Sequence, residues 1–169
     1  AATAKTIANQ IGLKVGKRML LGTEVVAMSD NELCNAMPET NIFARMFPEA
    51  KLKVVEMGQL IAGPFAAKTL ADFGADVIKI EPPKIGDALR KWRLLKDGTS
   101  VWWQVQSRNK RSLSLDLRQT EAQDIVRTLI TEADVLIENF RPGTLEGWGL
   151  DPEKLLTLNP KLIVLRISG

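Results

Sequence analysis

The 169-residue chain contains no histidine, no tyrosine and a single cysteine, Cys34. Those absences exclude histidine–cysteine zinc sites, the serine–histidine triad and the cysteine–histidine dyad within this chain. No metal cofactor is expected, and acid–base chemistry is left to carboxylates, lysines or groups outside these residues. One cysteine cannot form an internal disulfide; Cys34 reads as a buried thiol, and a reducing, cytoplasmic location is the expectation. No apolar run approaches the ~20 residues of a membrane span. The first residues, AATAKTIANQIGLKVGKRMLLG, lack the basic-then-apolar layout of a secretion signal. Neither a membrane partner nor export is therefore expected. The net charge of +3 slightly favours an anionic ligand but is too small and scattered for a nucleic-acid partner. The basic SRNKR stretch (Ser107–Arg111) reads as a turn into a strand, with the adjacent Trp102 and Trp103 packed in the core.

Two regions differ in character. Residues 1–50 are an N-terminal extension of unknown role, irregular, with a short helix around Thr3–Ile11 and a β-like run over Met19–Met28. A helix is expected from Ser29 to about Ala36, where Ser29 and Glu32 have the spacing of a capping box, and Pro38 and Pro48 punctuate the exit. From residue 51 to residue 169 the pattern sharpens into alternating strands and helices. LKVVEM (Leu52–Met57) is a strand-length apolar run. Gly63-Pro64 opens a helix whose Phe65, Thr69, Leu70 and Phe73 form the inner face and which Gly74 closes. DVIKIE (Asp76–Glu81) is the second strand.

After a connector, Lys84–Arg111, SLSLDL (Ser112–Leu117) alternates like a strand. Thr120 and Gln123 have capping-box spacing at the head of a helix with Ile125, Val126, Leu129, Ile130 and Ala133 on one stripe. DVLIEN (Asp134–Asn139), a short helix from Asp151-Pro152 and the strand LIVLRIS (Leu162–Ser168) complete the series. Parallel strands need crossovers, so this order predicts an α/β fold: a Rossmann-like open parallel sheet with helices on both faces. The last strand, with nothing after it to cover it, suggests further chain or a partner chain.

In open α/β sheets ligands bind beyond the carboxyl ends of the strands. There the sequence places Gly58–Gly63, Glu81-Pro82-Pro83, Arg118, and Asn139-Phe140-Arg141-Pro142-Gly143, with Trp148 nearby. Two arginines, an amide and apolar surface suit a ligand with phosphates and a long apolar or amide-bearing arm. GQLIAGP has the glycine spacing of a phosphate loop, but Pro64-Phe65 stand where that loop carries Lys-Ser/Thr. It is not G-x-G-x-x-G either, although Glu81 lies 23 residues after Gly58, about where a ribose-binding acid falls; a Rossmann oxidoreductase stays open as an alternative.

From about Leu52 onward five stretches stand in order: LKVVEMGQLIAGPFAAKTLADFGADVIKIEPP, Gly86-Asp87, NKRSLSLDL, ADVLIENFRPGTLEGWGL and NPKLIVLRISG. In these, at family spacing, the chain resembles the family III CoA-transferases. The resemblance implies coenzyme A as acyl-CoA substrate, a small carboxylic acid as its counterpart, and two interlocked chains, a homodimer, in the full-length protein. It also implies CoA contacts at Leu60, Ile61 and Ala62 in the first turn, at Leu115 and Arg118 around the third strand, and at Asn139, Phe140, Arg141 and Trp148. Ile61 stands where formyl-CoA transferase has glutamine, which argues against formyl or oxalyl specificity, and Gly147 replaces a basic residue that in the family helps hold CoA. The catalytic aspartate of the family, which passes through an aspartyl-CoA thioester, belongs beyond RISG. The chain alone is therefore expected to be inactive. An α-methylacyl-CoA racemase of the same family and a non-catalytic module keeping the fold are the alternatives.

Overall fold

The computed structural model describes residues 2–13, 16–44 and 51–168, which fall into two compact units, Ala1–Lys51 and Leu52–Gly169. The first unit carries α1 (Ala2–Gln10), β1 (Arg18–Leu21), α2 (Gly22–Ala27), α3 (Asp30–Ala36) and β2 (Thr40–Ala44), with β1 and β2 paired in parallel. The expected helix near Thr3–Ile11 is present. The β-like run over Met19–Met28 ends early, because the Glu24 carboxylate accepts the Leu21 N–H at 2.7 Å and α2 begins. The capping box of α3 forms: Glu32 N–H donates to Ser29 Oγ at 3.4 Å and Glu32 Oε2 accepts Ser29 N–H at 2.8 Å. Cys34 is exposed on this helix, not buried, since Ala36 is its inward residue. Pro38 sits in a tight turn, and Pro48 lies outside the described residues.

The second unit is built on β3 (Lys53–Glu56), α4 (Ala62–Asp72), β4 (Asp76–Glu81), a small hairpin of β5 (Leu95–Lys96) and β6 (Thr99–Ser100), α5 (Val101–Gln106) and β7 (Lys110–Ser114). It continues through α6 (Thr120–Glu132), β8 (Val135–Glu138), α7 (Thr144–Gly147), α8 (Pro152–Leu158) and β9 (Ile163–Arg166). Five strands form one parallel sheet in the order β7-β4-β3-β8-β9. The chain starts at the centre, grows one way through β4 and β7, then crosses to β8. The topological switch point therefore lies between β3 and β8.

Both faces of the sheet are covered, which is why neighbouring strand residues are buried together. Val54, Val135 and Ile137 face α4, whereas Val55 and Leu136 face α6 and α8. On α6, Val126, Ile130 and Ala133 are buried as the stripe predicts, while Ile125 is half exposed. The helix has no side-chain cap: Gln119 is the cap position, and Gln123 donates instead to the Leu117 carbonyl at 3.1 Å. Its other end is tied by Asn159, whose amide donates to the carbonyls of Ile130 (2.9 Å) and Ala133 (2.7 Å).

Three further expectations need correction. The inner face of α4 is Ala67 and Ala71 with Leu70 beside them, whereas Phe65 is 55% and Phe73 90% exposed. Each phenylalanine is two residues from a buried alanine, about 200° round the helix, and the small residues let α4 sit close on the sheet. Gly74 does close α4, at φ +100°, with Ala75 N–H reaching Leu70 O. Second, the third strand is Lys110–Ser114, starting two residues earlier than the alternation suggests, with the Lys110 ammonium buried on Glu56. Third, the connector holds α5, capped by Ser100; Trp103 is buried, but Trp102 is 42% exposed and edge-on to Trp92.

Ile130→Ala should therefore cost about 2–5 kcal/mol in urea unfolding, as a large-to-small change in a closed core. Phe73→Ala should stay within about 0.5 kcal/mol of the wild type.

Candidate functional site

Strands β3, β4 and β8 each end in a glutamate, Glu56, Glu81 and Glu138, and all three carboxylates are buried. A buried carboxylate needs partners: Glu56 finds Lys79 on β4 and Lys110 at the start of β7, Glu81 finds Arg90 and the Asp87 N–H in its own loop, and Glu138 finds the Phe140 N–H and Arg166 on β9.

The turn after β3 folds back on itself. A Cβ at Gly58 would lie 2.7 Å from Gly63 Cα, and one at Gly63 would lie 2.7 Å from Gly58 Cα, so only glycine fits at both positions. Between them Leu60 holds a left-handed backbone, φ +66°, which costs a non-glycine residue roughly 1–2 kcal/mol. The turn's peptide groups are held from outside. Gly58 O accepts Lys79 Nζ at 2.8 Å, and Leu60 N–H donates to Asp87 Oδ1 at 2.9 Å. The Asn139 amide takes both sides of Gln59, accepting its N–H at 2.7 Å and donating to its carbonyl at 2.9 Å. Lys110 Nζ donates to Pro64 O at 2.7 Å. Helix α4 then starts with no side-chain cap, leaving the N–H groups of its first turn to whatever occupies the edge.

Beneath the turn lies a closed set of charges. Lys79 pairs with Glu56 (2.8 Å) and Asp87 (2.7 Å), and Lys110 pairs with the second oxygen of Glu56 (2.7 Å). Burial draws the Lys110 ammonium below its ordinary range, against the pull of Glu56.

Glu81 is fully used. Arg90 grips it as a fork with two contacts of 2.7 Å, Ser112 Oγ donates at 2.7 Å and Asp87 N–H at 2.8 Å. It leaves no oxygen for a ribose, so the oxidoreductase alternative loses the acid it required. Burial alone would raise the Glu81 carboxyl, but the Arg90, Ser112 and Asp87 hydrogen bonds outweigh it and hold the group at about 2. Arg90 also stacks over Trp103, its guanidinium 3.9 Å from the ring centre. At the end of β8, Glu138 accepts Phe140 N–H at 2.7 Å and Arg166 at 2.6 Å, which fixes where Phe140 points.

These loops enclose a cavity of about 330 Å³ at the carboxyl edge. Its floor is Met57, Ile80, Leu115, Leu117, Phe140 and Trp148; its rim includes Gln59, Glu81, Asp116 and Arg118. Phe140 and Trp148 meet edge to face at 5.1 Å. A second cavity, about 290 Å³, opens at the amino ends of the strands, but its rim charges pair among themselves, Lys53 with Glu132 and Arg111 with Asp76. It lies at the edge opposite the loops that present ligand-binding groups.

Of the residues singled out from the sequence, Leu115, Arg118, Phe140 and Trp148 line the carboxyl-edge cavity together. Leu60, Ile61 and Ala62 form the adjoining turn, with Ile61 38% exposed. The Asn139 amide is engaged by Gln59, and Arg141 is exposed with no ion-pair partner among the described residues. Arg118 is not a free fork: it holds Asp116 with two contacts of 2.8 Å, which depresses the Asp116 carboxyl to about 2. Sequence reading missed Glu56, Lys79, Asp87, Lys110, Asp116 and Glu138. A charged residue inside an otherwise apolar strand, as at Lys79, was the available signal.

The structure thus joins an open parallel sheet of the α/β class to an apolar cavity at its carboxyl edge, with Arg118 on the rim. Residues 50–169 match CoA-transferase family III, and the chain belongs to that family. It is 51% identical to the succinyl-CoA–D-citramalate CoA-transferase of Chloroflexus aurantiacus, over 72% of this chain and 31% of the relative. It is 42% identical to the succinate–glutarate CoA-transferase of Agrobacterium fabrum, over 77% and 34%. A crystal structure of a CAIB/BAIF family protein from Brucella suis superposes with a TM-score of 0.65 at 45% identity, over 70% of this chain and 32% of that one. The chain thus spans about a third of the length of these relatives.

Because the folded Glu81 value lies below the ordinary 4.5, its contribution to stability is present above pH 4.5 and is lost as the pH falls toward 2. Glu81→Gln should therefore make the fall of urea stability with pH across that window shallower than in the wild type.

Proposed function

We propose that residues 52–169 hold coenzyme A for a CoA-transferase that moves CoA between an acyl-CoA and a carboxylic acid. The observation that carries this reading is the cavity of about 330 Å³ floored by Phe140 and Trp148, with Arg118 on its rim and Arg141 exposed on the same edge. The arginines take the phosphates, and the apolar floor packs the rest of the nucleotide and the arm. The Gly58–Gly63 turn, with Leu60, Ile61 and Ala62, meets the thioester end of the arm.

The nucleophile is an aspartate outside these residues, as the family resemblance implies. Its carboxylate attacks the thioester carbonyl, and CoA leaves as thiolate to give an acyl-aspartyl anhydride. The thiolate then returns to the aspartyl carbonyl, freeing the first acid and leaving aspartyl-CoA. The acceptor acid repeats the two steps in reverse. Relatives named for succinyl-CoA or succinate support a short dicarboxylic acyl group as donor, and Ile61 in the turn fits that better than formyl or oxalyl transfer. A second copy of the chain completes the enzyme, and the exposed free thiol of Cys34 suits the reducing cytoplasm.

Titration calorimetry of the purified chain should show CoA binding, with Kd rising about tenfold in Arg141→Ala, the size of one charge-assisted contact. Asp116→Asn, which frees the Arg118 fork, should tighten binding. Acyl transfer by the chain alone should not exceed a protein-free control. No CoA binding, with the arginine variants indistinguishable from wild type, would favour the non-catalytic module.

A further inference from the structure

Four charges lie buried under the Gly58–Gly63 turn. Lys79 and Asp87 are each 1% exposed and Glu56 is fully buried, while the Lys110 side chain is 2% exposed. Two ammonium groups face two carboxylates, so the set is neutral, but buried ion pairs are weak sources of net stability compared with apolar packing. What distinguishes this set is what it holds. Its members reach three backbone atoms of the turn and the helix start: Gly58 O through Lys79, Leu60 N–H through Asp87, and Pro64 O through Lys110.

Asp87 sits at the centre of this arrangement. One carboxylate oxygen, Oδ1, accepts the N–H groups of Leu60 (2.9 Å) and Leu89 (2.8 Å); the other, Oδ2, faces Lys79 at 2.7 Å. Its own N–H donates to Glu81, so the loop that carries it is clamped to the end of β4. Leu60 has φ +66°, a conformation that a leucine leaves unless something holds it. The Asp87 carboxylate is the group that receives the Leu60 N–H.

We infer that Asp87 is a positioning residue for the CoA arm, keeping the Leu60 peptide in its left-handed form so that the turn is shaped before the ligand arrives. The inference rests on the CoA reading above. Asp87 touches no ligand in it; it acts through Leu60, and Lys79 acts through Asp87 and Gly58. A turn ordered in advance spares the ligand the entropy of ordering it. Its loss should be felt by the arm and not by the phosphates, which bind at Arg118 and Arg141.

The test compares two ligands on the purified chain: CoA, and adenosine 3′,5′-bisphosphate, which carries phosphates but no arm. Asp87→Ala should weaken CoA about tenfold, the scale of one lost buried hydrogen bond, and change the bisphosphate by less than about twofold. Asp87→Asn, which keeps an oxygen for the Leu60 N–H but loses the charge that Lys79 grips, should show the same selectivity with a smaller loss. Equal weakening of both ligands, or no change in CoA affinity, overturns the inference. If Asp87→Ala does not fold, a folded Asp87→Asn that binds CoA like the wild type overturns it. Failure of both variants to fold assigns Asp87 to stability alone and overturns it as well. A wild-type chain that binds neither ligand refutes the CoA reading first, and this inference with it.

Discussion

The contact on which the rest of the site depends is the Lys79 ammonium, buried among Glu56, Asp87 and the Gly58 carbonyl. An ammonium buried there without partners would bear its full desolvation cost. Its three acceptors come from three places in the chain: a strand end, a loop 27 residues further on from Leu60, and the first glycine of the turn. One side chain thus ties the end of β3 to the loop after β4. The glutamates at the ends of β4 and β8 repeat the device, Glu81 by gripping Arg90 in the loop after β4 and Glu138 by joining Arg166 at the end of β9 to the Phe140 N–H in the loop after β8. The central strands are largely apolar, and ion pairs at the carboxyl ends of β3, β4 and β8 give the loops there their shape.

The order of parallel strands and helices was legible because buried strands read as nearly continuous apolar runs and the turns between them carry Gly and Pro. Cavity residues such as Phe140 and Trp148 were legible because strand ends can be located from those runs. What failed has identifiable causes. Phe65 and Phe73 are the largest apolar residues of α4, and size suggested an inward face, but close packing against the sheet selected Ala67 and Ala71. Lys110 looked like part of a basic turn, since nothing local reveals that Glu56, 54 residues earlier in sequence, will receive its ammonium. The pairing of Arg118 with Asp116 was a local i, i+2 contact that counting arginines passed over.

The chain belongs to CoA-transferase family III, and in the reading proposed above the carboxyl-edge cavity is its seat for CoA. On that proposal the arginines, the aromatic floor and the pre-bent turn bind and orient, and the attacking carboxylate comes from outside these residues. Among the described residues, Glu56, Glu81, Asp87 and Glu138 around the turn are all held by cations or peptide N–H groups. A seat separate from its nucleophile would let the binding groups be rigid.

Asn139 has a mechanical consequence. Its side chain spans the switch point and grips both the N–H and the carbonyl of Gln59, while its backbone continues directly into Phe140 and Arg141. The loop after β8 and the turn after β3 are therefore one lever. A pull on Arg141 reaches the Gly58–Gly63 turn through the Asn139 side chain, with no ligand needed between them. In the proposed CoA seat, the phosphate end and the thioester end would yield or stiffen together.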